Sequence, residues 1–171
     1  MKTAFFILPL LFGVLTVTAQ SVKKYPIGNS GCSLNSYCEQ RYSTSLSDDS
    51  SKVYTGECKQ DEVSYGVICI KLLNPVENLF MAQDLVVAYL DYLKKNFDIV
   101  KAAGYSKNYM LQDNRDTRGV LDYWEDMEGN KWKIKAWTDG KYIGCLYAYS
   151  KKELPETKIN TYLDGFRMPG M

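Results

Sequence analysis

A helical repeat of apolar residues occupies the middle of the chain. The repeat comprises Leu79, Ala82, Leu85, Val86, Tyr89, Leu90, Leu93 and Phe97. Steps of three and four residues place these side chains on one face of an α-helix, with charged residues largely opposite. Asn74-Pro75-Val76-Glu77 supplies a capping residue, a proline suited to the first helical position and a glutamate three residues beyond the cap. The pattern predicts a long amphipathic helix that begins at Pro75.

After Gly104 the apolar period changes from helical to two, which is typical of strands. The turn sequences Gly129-Asn130 and Asp139-Gly140 separate three predicted strands at residues 119–128, 131–138 and 141–150. A β-branched run at residues 65–72 predicts an earlier strand, and an apolar stripe after Pro155 predicts a short helix. The predicted fold class is α+β. It has a single antiparallel sheet that includes this C-terminal three-strand meander, packed with one long helix and the short C-terminal helix.

Counting residues across the two turns predicts the register of the meander. If both turns contain two residues, Trp124 faces Lys135 and Trp132 faces Tyr147. One face of the sheet is then almost wholly apolar and is the predicted core. It carries Leu121, Tyr123, Met127, Trp132, Ile134, Ala136, Ile143, Cys145, Tyr147 and Tyr149.

The opposite face carries a candidate ligand platform, formed by Trp124, Trp137, Tyr142, Asp122 and Lys135. Flat aromatic rings bury a large area at a low cost in rotamer entropy, and neighbouring polar groups orient a ligand. We therefore consider stacking on a sugar or gripping a peptide. The alternative is that a helix, with the C-terminal one as the obvious candidate, covers these rings.

The first nineteen residues have the three parts of a secretory leader: Lys2, an apolar run and the small-residue ending Val17-Thr18-Ala19. Cleavage before Gln20 leaves 152 of the 171 residues, enough for one domain. Residues 20–57, rich in Ser, Asn and Asp, and residues 58–171 are predicted to form that single domain. No later apolar run reaches the roughly 18 residues of a membrane span, so we expect a periplasmic or secreted product.

Charge and composition exclude several function classes. Without Lys2, 20 basic residues balance 20 acidic ones, which gives no basis for nucleic-acid capture. The chain contains no histidine, which excludes Ser-His-Asp and Cys-His nucleophile systems and histidine-ligated metals. We expect no cofactor and no metal.

All five cysteines lie after the predicted cleavage point, which favours disulfides in an exported protein. Cys145 lies within an apolar strand pattern and is predicted to remain a thiol. Our preferred pairs are Cys32 with Cys38 and Cys58 with Cys69, the second across a hairpin near residues 60–64, although the spacing alone does not choose among the possible pairings.

The order of strand, long helix, antiparallel meander and terminal helix, over residues 53–168, resembles the PsbP-like and Mog-type group of α+β domains. The resemblance implies a single antiparallel sheet with helices on its faces, in a group dominated by binding and accessory proteins. It rests on element order and transfers no site residue.

Our first functional hypothesis is an exported, non-enzymatic binding or accessory domain for a protein, peptide or glycan. The second is a carboxylate-based hydrolase or sugar-active enzyme that uses the Asp122, Glu125, Asp126 and Glu128 cluster. The third is a structural domain of the cell envelope. Two carboxyl groups converging in a concave pocket favour catalysis, whereas an open, flat hairpin favours binding.

Overall fold

The computed structural model describes residues 21–171. The predicted leader and its cleavage before Gln20 lie outside the described residues. The helices are α1 (Leu79–Asn96) and α2 (Glu156–Leu163). The strands are β1 (Lys23–Pro26), β2 (Ser33–Ser36), β3 (Arg41–Leu46), β4 (Lys52–Gln60), β5 (Val63–Lys71), β6 (Ile99–Ala102), β7 (Ser106–Tyr109), β8 (Arg118–Asp126), β9 (Lys131–Thr138), β10 (Tyr142–Ser150) and β11 (Phe166–Arg167).

The α+β class, the antiparallel character and the two predicted helices are confirmed, but the prediction of a single sheet is wrong. An eight-stranded sheet has the order β3-β4-β5-β10-β9-β8-β6, with β7 also paired to β8. A separate three-stranded sheet has the order β1-β2-β11. The N-terminal segment therefore contributes β1 and β2 to one sheet and β3 to the edge of the other.

Helix α1 begins four residues later than the Asn74-Pro75 pattern predicts. The amide of Val76 donates a hydrogen bond to the carbonyl of Gly140 (2.7 Å), which holds this segment against the β9–β10 turn. The side chain of Asn78 then caps the helix by accepting from the amides of Phe80 and Met81. The tertiary contact at Val76 thus outweighs the local capping signal.

The three meander strands lie where the sequence predicts, but β8 pairs with β9 in a different register from the predicted one. Trp124 faces Trp132, and Asp122 faces Ile134. The amide of Asp126 bonds to the carbonyl of Asn130, so the loop contains three residues and ends at Gly129, whose φ is +78°. This register differs from the predicted one by an odd number of residues. The inward and outward faces of β8 are therefore exchanged.

Exposure confirms the exchange: Tyr123 and Met127, both predicted to lie in the core, are 45% and 73% exposed. The register between β9 and β10 also differs from the prediction, with Trp132 facing Tyr149 instead of Tyr147. This shift is of two residues, so the predicted faces of β9 and β10 are kept.

The large sheet separates two hydrophobic cores. Helix α1 packs on β8, β9 and β6, and its apolar stripe meets Trp124, Trp132 and Ile134. On the other face, α2 and the small sheet enclose Trp137, Leu146 and neighbouring apolar side chains. The small sheet and α2 together therefore cover one face of the large sheet, whereas α1 covers only part of the other face.

The structure contains a disulfide between Cys38 and Cys58, so both predicted pairings are wrong. In the β4–β5 hairpin Cys58 faces Tyr65, and Cys69 faces Tyr54, so Cys58 and Cys69 are not opposite each other. Cys32, Cys69 and Cys145 are buried thiols. Only Cys145 was predicted to be one.

Candidate functional site

The sheet divides the predicted aromatic platform. Trp124 and Asp122 lie on the α1 face, where they are 3% and 0% exposed. The indole N–H of Trp124 donates to Asp122 Oδ2 (2.7 Å), and the amides of Gly104 and Tyr123 donate to Oδ1. Lys94 Nζ lies 3.3 Å from Oδ2 of Asp122. Both oxygens of the Asp122 carboxylate therefore have partners within the protein.

Trp137, Lys135 and Tyr142 lie on the opposite face. Trp137 is 1% exposed, and its indole N–H donates to the carbonyl of Leu163 at the end of α2 (2.9 Å). Lys135 pairs with Asp164 just beyond α2 (2.6 Å). The C-terminal helix therefore covers this part of the sheet, as the alternative interpretation of the sequence anticipated.

The carboxylates of Asp122, Glu125 and Asp126 do not converge on a pocket, whereas Glu128 lines an open depression at the strand ends. Asp126 accepts hydrogen bonds from Asn130 and from the indole of Trp132 (2.8 Å), which places it inside the hairpin. Glu125 projects from the other side of β8 and pairs with Lys101 (2.9 Å). The arrangement shows structural hydrogen bonding and no facing acid pair of the kind that glycoside hydrolysis needs.

A groove lies where α1 leaves the large sheet uncovered, between that helix and the β3–β4 hairpin. Its volume is about 470 Å³. Leu46 on the hairpin and Tyr92 on the helix are 66% and 58% exposed, and Tyr92 stacks on Tyr89 at a ring distance of 6.0 Å. We call this feature the hairpin–helix groove; it is lined by Ser45, Leu46, Ser47, Asp48, Asp49, Val53, Ile70, Tyr89 and Tyr92.

The rim of the groove is acidic and ordered. Asp49 accepts from Ser47 Oγ and from the amide and hydroxyl of Ser51. These hydrogen bonds lower the pKa of Asp49 below its usual range, so the carboxylate stays charged at neutral pH. Asp48 beside it is also exposed. The groove therefore combines apolar walls with negative charge at one end.

A second polar feature lies farther along the same face. The hydroxyl groups of Tyr147 and Tyr149 donate to the two carboxylate oxygens of Glu57, at 3.2 and 2.9 Å. The ring of Tyr147 crosses Gly66, where a Cβ atom would collide with it. Tyr149 stacks on Trp132 with a ring distance of 4.1 Å. We call Glu57, Tyr147 and Tyr149 the tyrosine–glutamate cluster.

Burial, together with the Glu57 carboxylate, raises the pKa of both cluster tyrosines, so their hydroxyls remain protonated donors. Tyr149 also lines an open depression of about 350 Å³ beside lysines and acids of the strand ends. The cluster offers aromatic rings for stacking, and the carboxylate of Glu57 already accepts hydrogen bonds from the two tyrosines.

Sequence reasoning missed the groove because its parts are distant along the chain. The helical repeat places Tyr89 in the buried stripe and leaves Tyr92 outside it. Leu46 is the one apolar residue in a nearly all-polar stretch, residues 43–51, whose composition predicts loops and short strands. A lone leucine in such a stretch, and a second tyrosine three residues from the first on the helix, are the signals that the sequence does contain.

The comparisons with known proteins add no family to this picture. The sequence matches no protein-family model and shows no significant similarity to a curated protein. The layout similarity to PsbP-like and Mog-type domains stays a prediction. Within residues 21–171, no helix has both the length and the apolar character required to cross a membrane.

Proposed function

We propose that this protein is an exported, non-enzymatic binding domain, periplasmic or secreted, that holds a peptide segment of a partner protein in the hairpin–helix groove. The observation that carries the proposal is the exposure of Leu46 and Tyr92 on opposite walls of one groove. Large apolar side chains gathered at a concave surface are characteristic of interaction sites. The disulfide of Cys38 with Cys58 supports location in an oxidising compartment.

The groove walls favour an apolar or aromatic side chain as the anchor of the peptide. Tyr89 and Tyr92 present stacked rings, and Val53 and Ile70 form the floor. A narrower cleft of about 120 Å³, lined in part by Leu85 and Tyr89, continues from the groove. An aliphatic or aromatic residue entering between these walls buries apolar area on both sides.

The acidic rim favours a lysine or arginine next to that anchor. Asp48 and Asp49 are exposed at the rim, and the hydrogen bonds to Asp49 keep its charge in place. A basic residue there gains from the negative potential without needing a buried ion pair. The predicted ligand is therefore a peptide with an apolar anchor beside a basic residue.

A random peptide library displayed on phage, selected on the immobilised protein, tests this proposal. We expect enriched peptides that share an apolar residue beside Lys or Arg. Tyr92→Ala should weaken binding of a selected peptide by about tenfold or more, because the variant removes one wall. Asp48→Asn should weaken binding and reduce its salt dependence. Fluorescence anisotropy of the labelled peptide measures each affinity.

Tyr123→Ala is the matched control, since Tyr123 is a comparably exposed tyrosine on β8, outside the groove. Its affinity for the peptide should equal that of the wild type. Failure to enrich any peptide, or equal binding by wild type and Tyr92→Ala, overturns the proposal. Oligosaccharide binding on a glycan array that is lost in Tyr149→Ala and kept in Tyr92→Ala also overturns it, in favour of the tyrosine–glutamate cluster.

A further inference from the structure

The two buried thiols Cys32 and Cys69 are brought together by the packing of the small sheet on the large one. Cys69 lies on β5, where its cross-strand neighbours are Tyr54 on β4 and Gly144 on β10. Directly opposite residues share a face of the sheet. These neighbours therefore mark the position of Cys69 on the face that the small sheet covers.

Gly28, four residues before Cys32, lies against Tyr54, and Phe166, the strand partner of Leu34, lies against Gly144. A Cβ atom at Gly28 would lie 3.0 Å from the ring of Tyr54, and one at Gly144 would lie 2.5 Å from the ring of Phe166. Phe166 in turn pairs with Leu34 of β2. Cys32 lies between Gly28 and Leu34 in the chain, which brings it to the same apolar cluster as Cys69.

Burial and local hydrogen bonding hold Cys32 in this position. Cys32 is 2% exposed and Cys69 is 0% exposed, and both belong to the same apolar cluster. The amide of Cys32 donates to Ser30 Oγ (3.0 Å), and its carbonyl accepts from the amide of Ile27 (3.0 Å). The loop that carries Cys32 is thus closed on itself above β5.

We propose that Cys32 and Cys69 form a second disulfide in the exported protein, which fastens the small sheet to β5 and leaves Cys145 as the single thiol. The bridge spans 37 residues of sequence. It joins the residue that precedes β2 to β5, on the face where Cys38 and Cys58 already join the next segment to β4.

The oxidant is a disulfide donor of the exporting compartment, either a small-molecule disulfide or a protein one. A thiolate of the pair attacks the donor disulfide and forms a mixed disulfide, with release of one donor thiol. The second cysteine thiolate then attacks the protein sulfur and releases the other donor thiol. Two protons and two electrons leave the cysteine pair, and the donor disulfide is reduced to two thiols.

The reaction belongs to folding, before the small sheet docks. A hydrogen bond with Cys32, together with burial, raises the pKa of Cys69 in the folded chain. The thiol form is a poor nucleophile, and no reagent reaches it there. Exchange therefore precedes docking, after which the bridge is protected from reduction.

Disulfide mapping tests the proposal. The reduced, denatured chain is refolded in mixed reduced and oxidised glutathione, denatured again, and labelled with N-ethylmaleimide. We expect one label, on Cys145. Trypsin without reduction should then yield residues 25–41 linked to both residues 53–59 and residues 60–71. Chymotryptic cleavage after Leu34 or Tyr37 separates Cys32 from Cys38 and should leave Cys32 joined to Cys69.

Labels on both Cys32 and Cys69 in protein that contains the Cys38–Cys58 bridge overturn the proposal, as does a link from Cys32 to any other cysteine. Cys145→Ser is the matched control and should carry no label. In Cys32→Ser/Cys69→Ser the unfolding temperature should fall by roughly 10 °C in the oxidised protein, from the loop entropy of the lost bridge. An unchanged unfolding temperature contradicts the bridge.

Discussion

At the scale of single residues, the hydrogen bond of each indole N–H shows whether a tryptophan ring belongs to the core or is free to bind a ligand. Trp124 and Trp132 donate to Asp122 and Asp126 inside the α1 face. Trp137 donates to a carbonyl of α2 on the other face. Each indole N–H is therefore satisfied within the protein, and none of the rings is left to a ligand.

We expect Trp132→Ala and Trp137→Ala each to lower the free energy of unfolding by about 3–5 kcal/mol, because each removes a large buried ring. Tyr123→Ala, at a 45% exposed position, should cost less than about 1 kcal/mol. Urea denaturation of the three variants measures these losses. A small loss for Trp137→Ala alone would mean that α2 does not cover this ring in solution.

At the scale of elements, the β8–β9 turn is organised by one carboxylate. Asp126 Oδ1 accepts from the amides of Glu128 and Asn130, at 3.0 and 2.9 Å, and Oδ2 accepts from Asn130 Nδ2 and the Trp132 indole. Burial by itself raises the pKa of Asp126, but the hydrogen bonds outweigh it and hold the pKa below its usual range. The ionised form of Asp126 therefore stabilises the turn.

The stabilisation by Asp126 should depend on pH. Since its pKa is lower in the folded than in the unfolded state, the contribution is complete above the unfolded value of about 3.9 and is lost as the pH falls through the folded value. Asp126→Asn should therefore be less stable than wild type at neutral pH, and the difference should narrow below about pH 4.

Urea midpoints across an acidic pH series measure this difference. Glu125→Gln is the control, because the half-exposed Glu125 pairs with the exposed Lys101, and this variant should follow wild type closely. A difference between wild type and Asp126→Asn that is independent of pH would contradict the assigned role.

At the scale of the whole molecule, a single tyrosine joins three distant segments. The hydroxyl of Tyr162 on α2 donates to the carbonyl of Gly66 on β5 (2.8 Å) and accepts from Gln40 Nε2 (2.9 Å), just before β3. Tyr162 is fully buried, and its ring meets that of Tyr65 edge-on. The C-terminal helix is thus fastened to the N-terminal segment through the large sheet.

Tyr162→Phe should lower the free energy of unfolding by about 1–3 kcal/mol, because the carbonyl of Gly66 then loses its buried donor. The ring, and with it the packing, is kept. Tyr92→Phe, at a position that is 58% exposed, should have no measurable effect. Thermal and urea unfolding of the two variants compare them, and equal stability of Tyr162→Phe and wild type would show that the hydrogen bond contributes nothing.

The two helices, β5 and the three meander strands could be predicted from the sequence because they depend on local periodicity, whereas β6, β7 and β11 were not predicted. The strand at residues 131–138 has the predicted bounds, and the apolar stripe from Leu79 to Leu93 lies within the observed α1. Side-chain alternation in strands and the three- to four-residue repeat in helices are properties of neighbouring residues. They need no knowledge of the partner surface.

Pairings and faces were decided by tertiary structure. The face of Trp124 depends on whether Gly129 ends a three-residue loop, which the hydrogen bonds of Asp126 select. The partner of Cys58 depends on where the N-terminal segment crosses β4, and the hairpin–helix groove exists only because α1 covers part of one face.

These features depend on contacts between residues that are distant along the chain. The free energies of such contacts are of the same size as the local preferences they override. The sequence by itself therefore determined the strongly periodic helices and strands, and packing determined the short strands, which side chains meet and which surface stays open to a partner.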